Sequence, residues 1–544
     1  MILIQDTTLR DGEQGIGVSF TAEDRLKIID ALAALGFSSI ETGYFDPTLA
    51  SLNSALLTSP HIALLTAFGG CCRVGEKAEE NPVLSALAES GYQRAAIFGK
   101  TSVSQVRDVL RCSNEENLRI IGDTVSFLVK SGLRVSFDSE HFFDGFAEAP
   151  DYALKVIKTA FEAGAAEIIL CDTSGGTLPE QIDTGVRAAI KALPDALIGI
   201  HCHNDSGLAV ACSAVAVKAG AKAVQGTISG IGERCGNANL NTLIPLLQLK
   251  YGFDCLPEEK LRLLTPIARY INEIANRRFD ESEPFVGGYA FHHKAGTHID
   301  AAVKAPGSFE HIDPADVGNS SGMVISSLSG RAAVAAKAAS LTGIPVDKSD
   351  TRVIEAAKRI KELESAGYVF DAADASLSLV IMEAFGERRR YFDIVRYQVM
   401  INEGSESGSV ILDPEIIAQS SCDSEIYRYN NACSAIVKVR VGDVYSVTAD
   451  EGNGPVNAFD LALRKALTQF YPEIAEMRLT DYKVRVLDSS TATACAVRVL
   501  VESTDGRSSF RTVGVSPDVV DASSRAISDS IEFFLMNREK ERMP

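Results

Sequence analysis

The chain has 544 residues, and its 46% hydrophobic and 23% charged residues are ordinary for a folded globular protein, which excludes wholesale disorder. Its 53 basic and 72 acidic residues give a net charge of −19, and Trp is absent, so binding to nucleic acid or to an anionic membrane is not expected. At roughly 150 residues per domain, the length predicts about three domains, or fewer if one is a barrel.

The N-terminus has no basic region followed by an apolar one, and no run of about 18 apolar residues occurs, so neither a secretory signal nor a membrane span is predicted. The 11 cysteines are scattered and form no C-x-x-C motif. We therefore expect reduced thiols and a cytoplasmic location.

The first part of the chain alternates short apolar runs with amphipathic stretches. The runs that predict strands are Ile2–Ile4, Ser39–Glu41, Ala63–Phe68, Ala95–Phe98, Arg134–Phe137, Ile168–Leu170, Ile198–His203 and Ala223–Ile228. Helical patterns lie between them, such as Ala22–Leu35 and Tyr152–Ala163, and each of these two ends at a glycine. Eight β/α units in about 250 residues predict a TIM barrel. A doubly wound sheet is the alternative, but no Gly-rich phosphate loop follows the first strand.

The rest of the chain has a different pattern. Amphipathic helices are predicted at Pro257–Ala275 and Arg352–Gly367, with the motif HHKAGTH between them. The tail predicts two further helices and the strands Ser434–Val441, Asp481–Leu487 and Ala496–Glu502. We therefore divide the chain into a barrel at 1–275, a helical segment at 276–395 and an α+β domain at 396–544.

The tail also contains a faint repeat. An offset of 64 residues places Ala458 on Ala522, Ala462 on Ala526, Leu463 on Ile527 and Leu467 on Ile531. Two interpretations stay open: convergent amphipathic helices, or a duplicated module of the kind that builds effector sites and dimer contacts.

Five of the eight histidines lie in two short motifs, and the first of these is HCHND, at the end of the seventh predicted strand. Alternate residues of a strand face the same side, so His201 and His203 would both point into the barrel mouth, where barrel active sites form. Asp11, after the first strand, and Asn237, after the eighth, could add oxygen ligands for Mg²⁺, Mn²⁺ or Zn²⁺. A purely structural role for the histidines stays open.

Other strands also end in polar residues. Arg10 is a planar cation suited to bind a carboxylate, although a surface salt bridge with Asp11 would explain it as well. Glu140 closes the fifth strand, and Asp172 and Thr173 close the sixth. Polar groups at five strand ends predict one active site.

Four motifs resemble a known superfamily: DTTLRDGEQ, LCDTSGGTLP, HCHNDSG and GERCGNANL, in this order. They are similar to the metal-dependent acyl-CoA condensing and lyase barrels, which include the 2-isopropylmalate, homocitrate and citramalate synthases and hydroxymethylglutaryl-CoA lyase. The resemblance covers essentially the whole chain, and IFGKTS, EHFFDG and EGNGPVNAFD are most similar to the long-form citramalate synthase branch. It implies an acyltransferase that condenses acetyl-CoA with pyruvate to citramalate and CoA, in isoleucine biosynthesis.

The resemblance also implies roles for single residues. The positions that match the divalent-metal ligands are Asp11, His201, His203 and Asn237. Arg10 and Thr173 match residues that hold the 2-oxo acid, and Arg10 would stabilise charge on the former keto oxygen.

Glu140 matches an acid near the acetyl-CoA methyl group, and His298, in HHKAGTH, matches the catalytic histidine that removes a methyl proton. We also expect Tyr44, Phe68 and Phe98 to line a small substrate pocket, which would favour pyruvate over bulkier oxo acids.

One position departs from the family pattern. Relatives have Tyr eleven residues after the catalytic histidine, where this chain has Phe309. Phe cannot transfer a proton, so the hydroxyl is dispensable, or Tyr289 or His311 replaces it, or the enzyme is slow or altered.

The tail resembles a regulatory domain that binds the end-product amino acid and supports dimers. This implies a homodimer and isoleucine as the effector, at the turn formed by Gly452, Asn453, Gly454 and Pro455. Two alternative functions remain. One is a sister synthase of the 2-isopropylmalate or homocitrate type that uses a larger 2-oxo acid; the other is a metal- and amino-acid-binding regulatory protein that has lost catalysis.

Overall fold

The computed structural model describes residues 1–293, 301, 305, 307–323, 330–401, 433–487, 495–506 and 508–542. The chain forms two compact units, the first made of residues 1–292 and 310–322 and the second of residues 293–309 and 323–544. Within the described ranges, no helix combines the length and the hydropathy that crossing a bilayer requires.

The first unit is built on a closed barrel of eight parallel strands, which confirms the TIM-barrel prediction. The strands are β1 (Leu3–Asp6), β2 (Ser39–Tyr44), β3 (Leu65–Gly70), β4 (Arg94–Lys100), β5 (Arg134–Glu140), β6 (Glu167–Asp172), β7 (Leu197–Cys202) and β8 (Ala223–Gly226). β8 returns to pair with β1, with Leu3 opposite Ala223, so the sheet has no free edge. Strands β1 to β6 each continue two or three residues past the predicted end, because the added residues lie at the polar mouth and interrupt the apolar pattern.

Helices surround the barrel in alternation with the strands. They are α1 (Ala22–Leu35), α2 (Ala50–Leu57), α3 (Pro82–Glu89), α4 (Val103–Gln105), α5 (Asn114–Lys130), α6 (Phe142–Glu148), α7 (Pro150–Glu162), α8 (Pro179–Ala192), α9 (Ala209–Ala219), α10 (Leu240–Pro245), α11 (Glu258–Leu261) and α12 (Leu264–Ile274). Helix α1 begins with a capping box between Thr21 and Asp24 and ends at Gly36, whose φ of 88° is left-handed. The amphipathic stretch predicted at Pro257–Ala275 is two helices, α11 and α12.

Gly145 in α6 permits a close backbone approach at the barrel mouth. A Cβ atom at this position would lie 2.6 Å from the carbonyl oxygen of Thr101 and 2.9 Å from the Cα of Ser102. Because both neighbours are backbone atoms, they cannot rotate away as a side chain would. The contact therefore joins the segments that follow β4 and β5.

Gly145→Ala should lower the free energy of unfolding by about 1–3 kcal/mol, since the extra methyl group must displace packed backbone. Urea unfolding of the full chain measures this change. The matched control is Gly176→Ala, where a Cβ atom would meet nothing within 4 Å. Equal urea midpoints for the two variants would contradict the packing described for α6.

The second unit contains helices α13 (Arg331–Thr342), α14 (Thr351–Ser365) and α15 (Asp374–Ala384), followed by an α+β region. That region has two three-stranded antiparallel sheets. Their strands are β9 (Asp393–Ile401), β10 (Cys433–Val441) and β11 (Val444–Gly452), then β12 (Arg478–Val486), β13 (Val497–Thr504) and β14 (Ser509–Ser516). Helix α16 (Pro455–Thr468) packs on the first sheet and α17 (Val519–Arg542) on the second.

The two sheet-and-helix halves repeat in detail, as the duplicated-module interpretation predicts. The apolar positions that align at the 64-residue offset are all buried, in α16 and in α17. A specific hydrogen bond also repeats at this offset. Thr448 Oγ1 donates to the carbonyl of Ala462 at 2.6 Å, and Thr512 Oγ1 donates to that of Ala526 at 2.7 Å. Convergent helical patterning alone would not reproduce this strand-to-helix contact.

Three strands of the second unit were not predicted: β9, β11 and β14. In β9 and β11 most side chains are exposed or half-buried, so their sequences are too polar for a strand signal based on burial. β9 pairs with β10 along its whole length, and it runs across the boundary predicted at 395–396.

Candidate active site

Three donor groups converge at the mouth of the barrel. Asp11 lies in the loop after β1, His201 in β7 and His203 directly after β7. The Nε2 atoms of His201 and His203 lie 3.4 Å and 3.7 Å from Oδ2 of Asp11, and 3.4 Å from each other. All three residues are buried. One oxygen and two ring nitrogens this close together form a cluster that can hold a metal ion.

The backbone of Asn237 pairs with that of His203 in an isolated β-bridge, which places Asn237 beside this cluster. Its Nδ2 donates to the carbonyl of Ile231 at 3.1 Å, which fixes the amide. Oδ1 of Asn237 and Oδ1 of Asp11 are buried and have no hydrogen-bond partner among the described residues. Buried acceptors without donors are rare and need a partner such as an ion. The donor set therefore fits a divalent cation that accepts oxygen and imidazole ligands.

A chain of side-chain amides fixes the tautomer of His201. The carboxylate of Glu167 can only accept, so Gln5 turns its Nε2 toward it and its Oε1 toward Gln225. Gln225 Nε2 donates to Gln5 Oε1 at 3.3 Å, and its own Oε1 therefore accepts from Nδ1 of His201 at 3.0 Å. The lone pair of His201 is then on Nε2, which faces Asp11 and His203.

The charge states around the cluster follow from burial and from Arg10. Burial and, second to it, neighbouring His201 lower the pKa of His203 to about 4, so its ring is neutral. Burial opposes ionisation of Asp11, but Arg10 and the two histidines hold its pKa well below the usual range. A neutral imidazole and an ionised carboxylate are the forms that bind metals.

Arg10 lies between two carboxylates, with 9% of its side chain exposed. Its Nη1 donates to Asp11 Oδ2 at 2.7 Å, and its Nε donates to Glu41 Oε2 at 2.6 Å. The guanidinium also lies 4.0 Å from the ring centre of Phe68. Burial alone would lower the pKa of Arg10, but Glu41, Asp11 and Asp138 raise it above the ordinary arginine value.

Aromatic side chains from three neighbouring strands meet beside Arg10. Phe68 and Phe98 stack with ring centres 5.5 Å apart, and Tyr44 meets the edge of Phe68 at 5.8 Å. Tyr44 and Phe98 also line a cavity of about 540 Å³ whose wall includes Lys100. At its rim, Lys100 Nζ bonds Glu140 Oε1 at 2.7 Å.

Thr173 is held by the two loops on either side of it. Its Oγ1 accepts the backbone N–H of His141 at 2.8 Å, and its carbonyl accepts from Arg234 Nη2 at 2.8 Å. His141 and Arg234 both have left-handed backbone conformations, with φ of 58° and 56°. His141 is locked further by its contact of 2.7 Å with Asp144. With its oxygen already accepting this bond, the Thr173 hydroxyl remains able to donate to a ligand.

Sequence reasoning missed four residues that contribute to this site: Glu41, Lys100, Asp138 and Gln225. They lie in four different strands, so no spacing along the chain links them to the site. Burial and, second to it, the charge of Glu41 raise the pKa of Asp138 to about 7. Two acids within strands, Glu41 in β2 and Asp138 in β5, are the one signal that could have indicated a buried cation.

His298 lies outside the described residues. Phe309 is half exposed, with its ring 5.9 Å from that of His293. The ring of His311 stacks on that of Phe291 at 5.8 Å and meets that of Phe285 edge to face at 5.0 Å, which is a packing role.

Tyr289 lies against His292, with ring centres 6.1 Å apart. In the second unit, Gly452 ends β11 and Pro455 begins α16, with Asn453 and Gly454 between them. Asn453 N donates to Asn457 Oδ1 at 3.1 Å.

Comparison with known proteins matches three segments of the chain. Residues 1–252 match the HMGL-like family, 285–367 the homocitrate synthase post-HMGL domain-like family, and 423–535 the LeuA allosteric (dimerisation) domain. The (R)-citramalate synthase of Aquifex aeolicus is 43% identical, and the alignment covers 99% of this chain and 99% of that protein. The chain belongs to the (R)-citramalate synthase family.

Two further relatives agree with that placement. The (R)-citramalate synthase of Synechocystis is 43% identical over 98% of this chain and 96% of its own length. The 2-isopropylmalate synthase of Methanocaldococcus jannaschii, which also aligns over 99% of this chain and 96% of its own length, is 29% identical. Membership of the citramalate branch therefore extends over barrel, helical segment and tail.

His201→Ala should abolish divalent-cation binding, and Gln225→Leu should weaken it about 10- to 100-fold, because the Leu variant cannot hold the His201 tautomer. Calorimetric titration of metal-free full-length protein with Mn²⁺ measures both. The matched control is His61→Ala, which removes a surface histidine paired with Asp30. Unchanged affinity in Gln225→Leu would show that the amide chain does not orient the ligand.

Proposed function

We propose that the chain is an (R)-citramalate synthase, an acyltransferase that condenses acetyl-CoA with pyruvate and releases citramalate and CoA. The observation that carries this proposal is identity at 43% over the full length of a protein with that name. The buried Asp11–His201–His203 cluster supports it, since an intact donor set argues against a protein that has lost catalysis. The product would enter isoleucine biosynthesis.

The residues that would hold a divalent cation are Asp11, His201, His203 and Asn237. Such an ion supplies Lewis-acid polarisation of the 2-oxo acid and a template for its two oxygens. We leave open whether it is Mg²⁺, Mn²⁺ or Zn²⁺, since mixed oxygen and nitrogen donors suit all three.

Pyruvate would bind beside this cluster. Arg10 is fixed by Asp11 and Glu41 before substrate arrives, so it can meet negative charge on the keto oxygen without reorganising. Thr173 would donate its hydroxyl to the substrate carboxylate, because its oxygen already accepts the His141 N–H. The stacked Phe68 and Phe98 would line the side of the pocket that holds the methyl group of pyruvate, and their bulk would disfavour larger oxo acids.

Acetyl-CoA would occupy the cavity of about 540 Å³, where Lys100 and Arg73 are cations on the wall. A base must take one methyl proton, and Glu140 and His298 are the candidates. The carbanion then adds to the keto carbon of pyruvate, and water cleaves the resulting thioester between carbon and sulfur. Hydrolysis makes the overall reaction irreversible in practice.

The tail would provide regulation and a dimer contact, as the name of its matching domain suggests. Exposed apolar side chains on the outer face of the sheet β9–β11 include Ile436, Tyr445 and Val447. Covering this face with a second copy of the chain would bury them. We place the effector, isoleucine, at the turn Gly452, Asn453, Gly454 and Pro455.

The substrate prediction is tested by thiol release from acetyl-CoA with a panel of 2-oxo acids. Pyruvate should be preferred, and EDTA should abolish the reaction. Phe98→Ala should raise the preference for 2-oxoisovalerate relative to pyruvate by about tenfold or more, because the pocket widens. Tyr44→Phe, which keeps the ring at the cavity rim, is the control. Preference for 2-oxoisovalerate or 2-oxoglutarate in the wild type would contradict the proposal.

The regulatory prediction is that isoleucine inhibits the full-length enzyme and that Gly454→Glu removes the inhibition. A Cβ atom at Gly454 would meet nothing within 4 Å, and its φ of −173° suits any residue, so the variant should fold and remain active. Asp443→Lys, at the hairpin turn between β10 and β11, should keep its sensitivity. Full sensitivity of Gly454→Glu to isoleucine would show that the effector does not bind at this turn.

A further inference from the structure

Lys100 and Glu140 form an ion pair at the barrel mouth that the motifs did not indicate. They are the last residues of β4 and β5, and they lie directly opposite each other in the strand register. Lys100 Nζ is 2.7 Å from Glu140 Oε1. The backbone is fixed here too, because Thr101 N donates to the Glu140 carbonyl at 3.0 Å and Asn117 Nδ2 donates to that of Lys100 at 2.9 Å.

The pair is more buried than the other lysine–carboxylate pairs among the described residues. The side chains of Lys100 and Glu140 are 16% and 22% exposed, whereas those of Lys158 and Glu162, for example, are 59% and 64% exposed. Exposed pairs of the second kind contribute little to stability. An ordinary surface salt bridge therefore does not account for Lys100.

The two oxygens of Glu140 are not equivalent. Oε1 is bonded to Lys100, while Oε2 is buried and has no hydrogen-bond partner in the described part of the chain. A buried carboxylate oxygen that lacks a donor is costly, and such atoms are often kept for a ligand or for proton transfer. Lys100 also lines the cavity together with Phe98 and Gly70, and through the ion pair it links this wall to Glu140.

We propose that Lys100 is a positioning residue for the condensation: it holds Oε1 of Glu140 and so fixes the orientation of Oε2, the oxygen that takes the methyl proton. This inference rests on the proposed function. In the step it serves, a methyl C–H bond of acetyl-CoA breaks, the proton passes to Glu140 Oε2, and the electron pair stays on the enolate. Lys100 keeps the carboxylate in one orientation without itself receiving the proton.

The test compares Lys100→Met, which keeps the length and removes the charge, with Lys100→Arg and with the control Lys158→Met. We expect Lys100→Met to lower kcat about 100-fold, with the KM for pyruvate and Mn²⁺ binding within twofold of wild type. The kinetic isotope effect with deuterated acetyl-CoA should rise, because proton transfer becomes slower. Lys100→Arg should recover most of kcat, and Lys158→Met should equal wild type.

A double-mutant cycle tests whether Lys100 acts through Glu140. In a Glu140→Gln background, Lys100→Met should change kcat less than twofold. Three results would each overturn the inference. They are losses of kcat in the two single variants that multiply in the double variant, an unchanged isotope effect, and a change confined to the KM for acetyl-CoA. If the Lys100→Met protein does not fold, Lys100→Gln is used in its place. Absence of pyruvate-dependent CoA release in the wild type would instead contradict the proposed function.

Discussion

The buried guanidinium of Arg10 is the interaction on which the candidate site depends. It bonds Asp11 on one side and Glu41 on the other, and it lies over Phe68, which stacks on Phe98. One side chain thus ties together the loop after β1 and strands β2, β3 and β4. A planar cation with several donors can make these contacts at once, and a point charge cannot.

The placement of Arg10 would allow an acidic protein to bind the two anionic substrates of the proposed reaction. The net charge of −19 repels anions at long range, so attraction must come from cations placed within the site. Arg10 and Lys100 are both paired with carboxylates, and these pairs fix their positions before substrate enters. Because the carboxylates offset much of their charge, a bound divalent cation would supply the remaining attraction.

Sequence reasoning found the parts of the molecule that repeat or cluster. Eight apolar runs with glycine-ended helices predicted the barrel, and HCHND predicted the two histidines on one face. The equivalent contacts of Thr448 and Thr512 agree with the 64-residue repeat. These features were predictable because they follow from local periodicity.

The rest depends on contacts between distant residues. Glu41 lies within β2 and Lys100 ends β4, and nothing in their local sequence distinguishes a partner of Arg10 or of Glu140 from a surface charge. The amide chain from Glu167 through Gln5 and Gln225 to His201 joins β6, β1, β8 and β7, so only the closed barrel reveals it. Edge strands such as β9 were not predicted, because a strand whose side chains are mostly exposed has a sequence similar to that of a loop.

The most direct test of this account is the steady-state kcat/KM for pyruvate of Arg10→Lys in the full-length, metal-loaded enzyme. Lysine keeps the positive charge but cannot bond Asp11 and Glu41 together, so the account predicts a loss of about 100-fold or more. A value within threefold of wild type would contradict it, since a simple positive charge would then be enough.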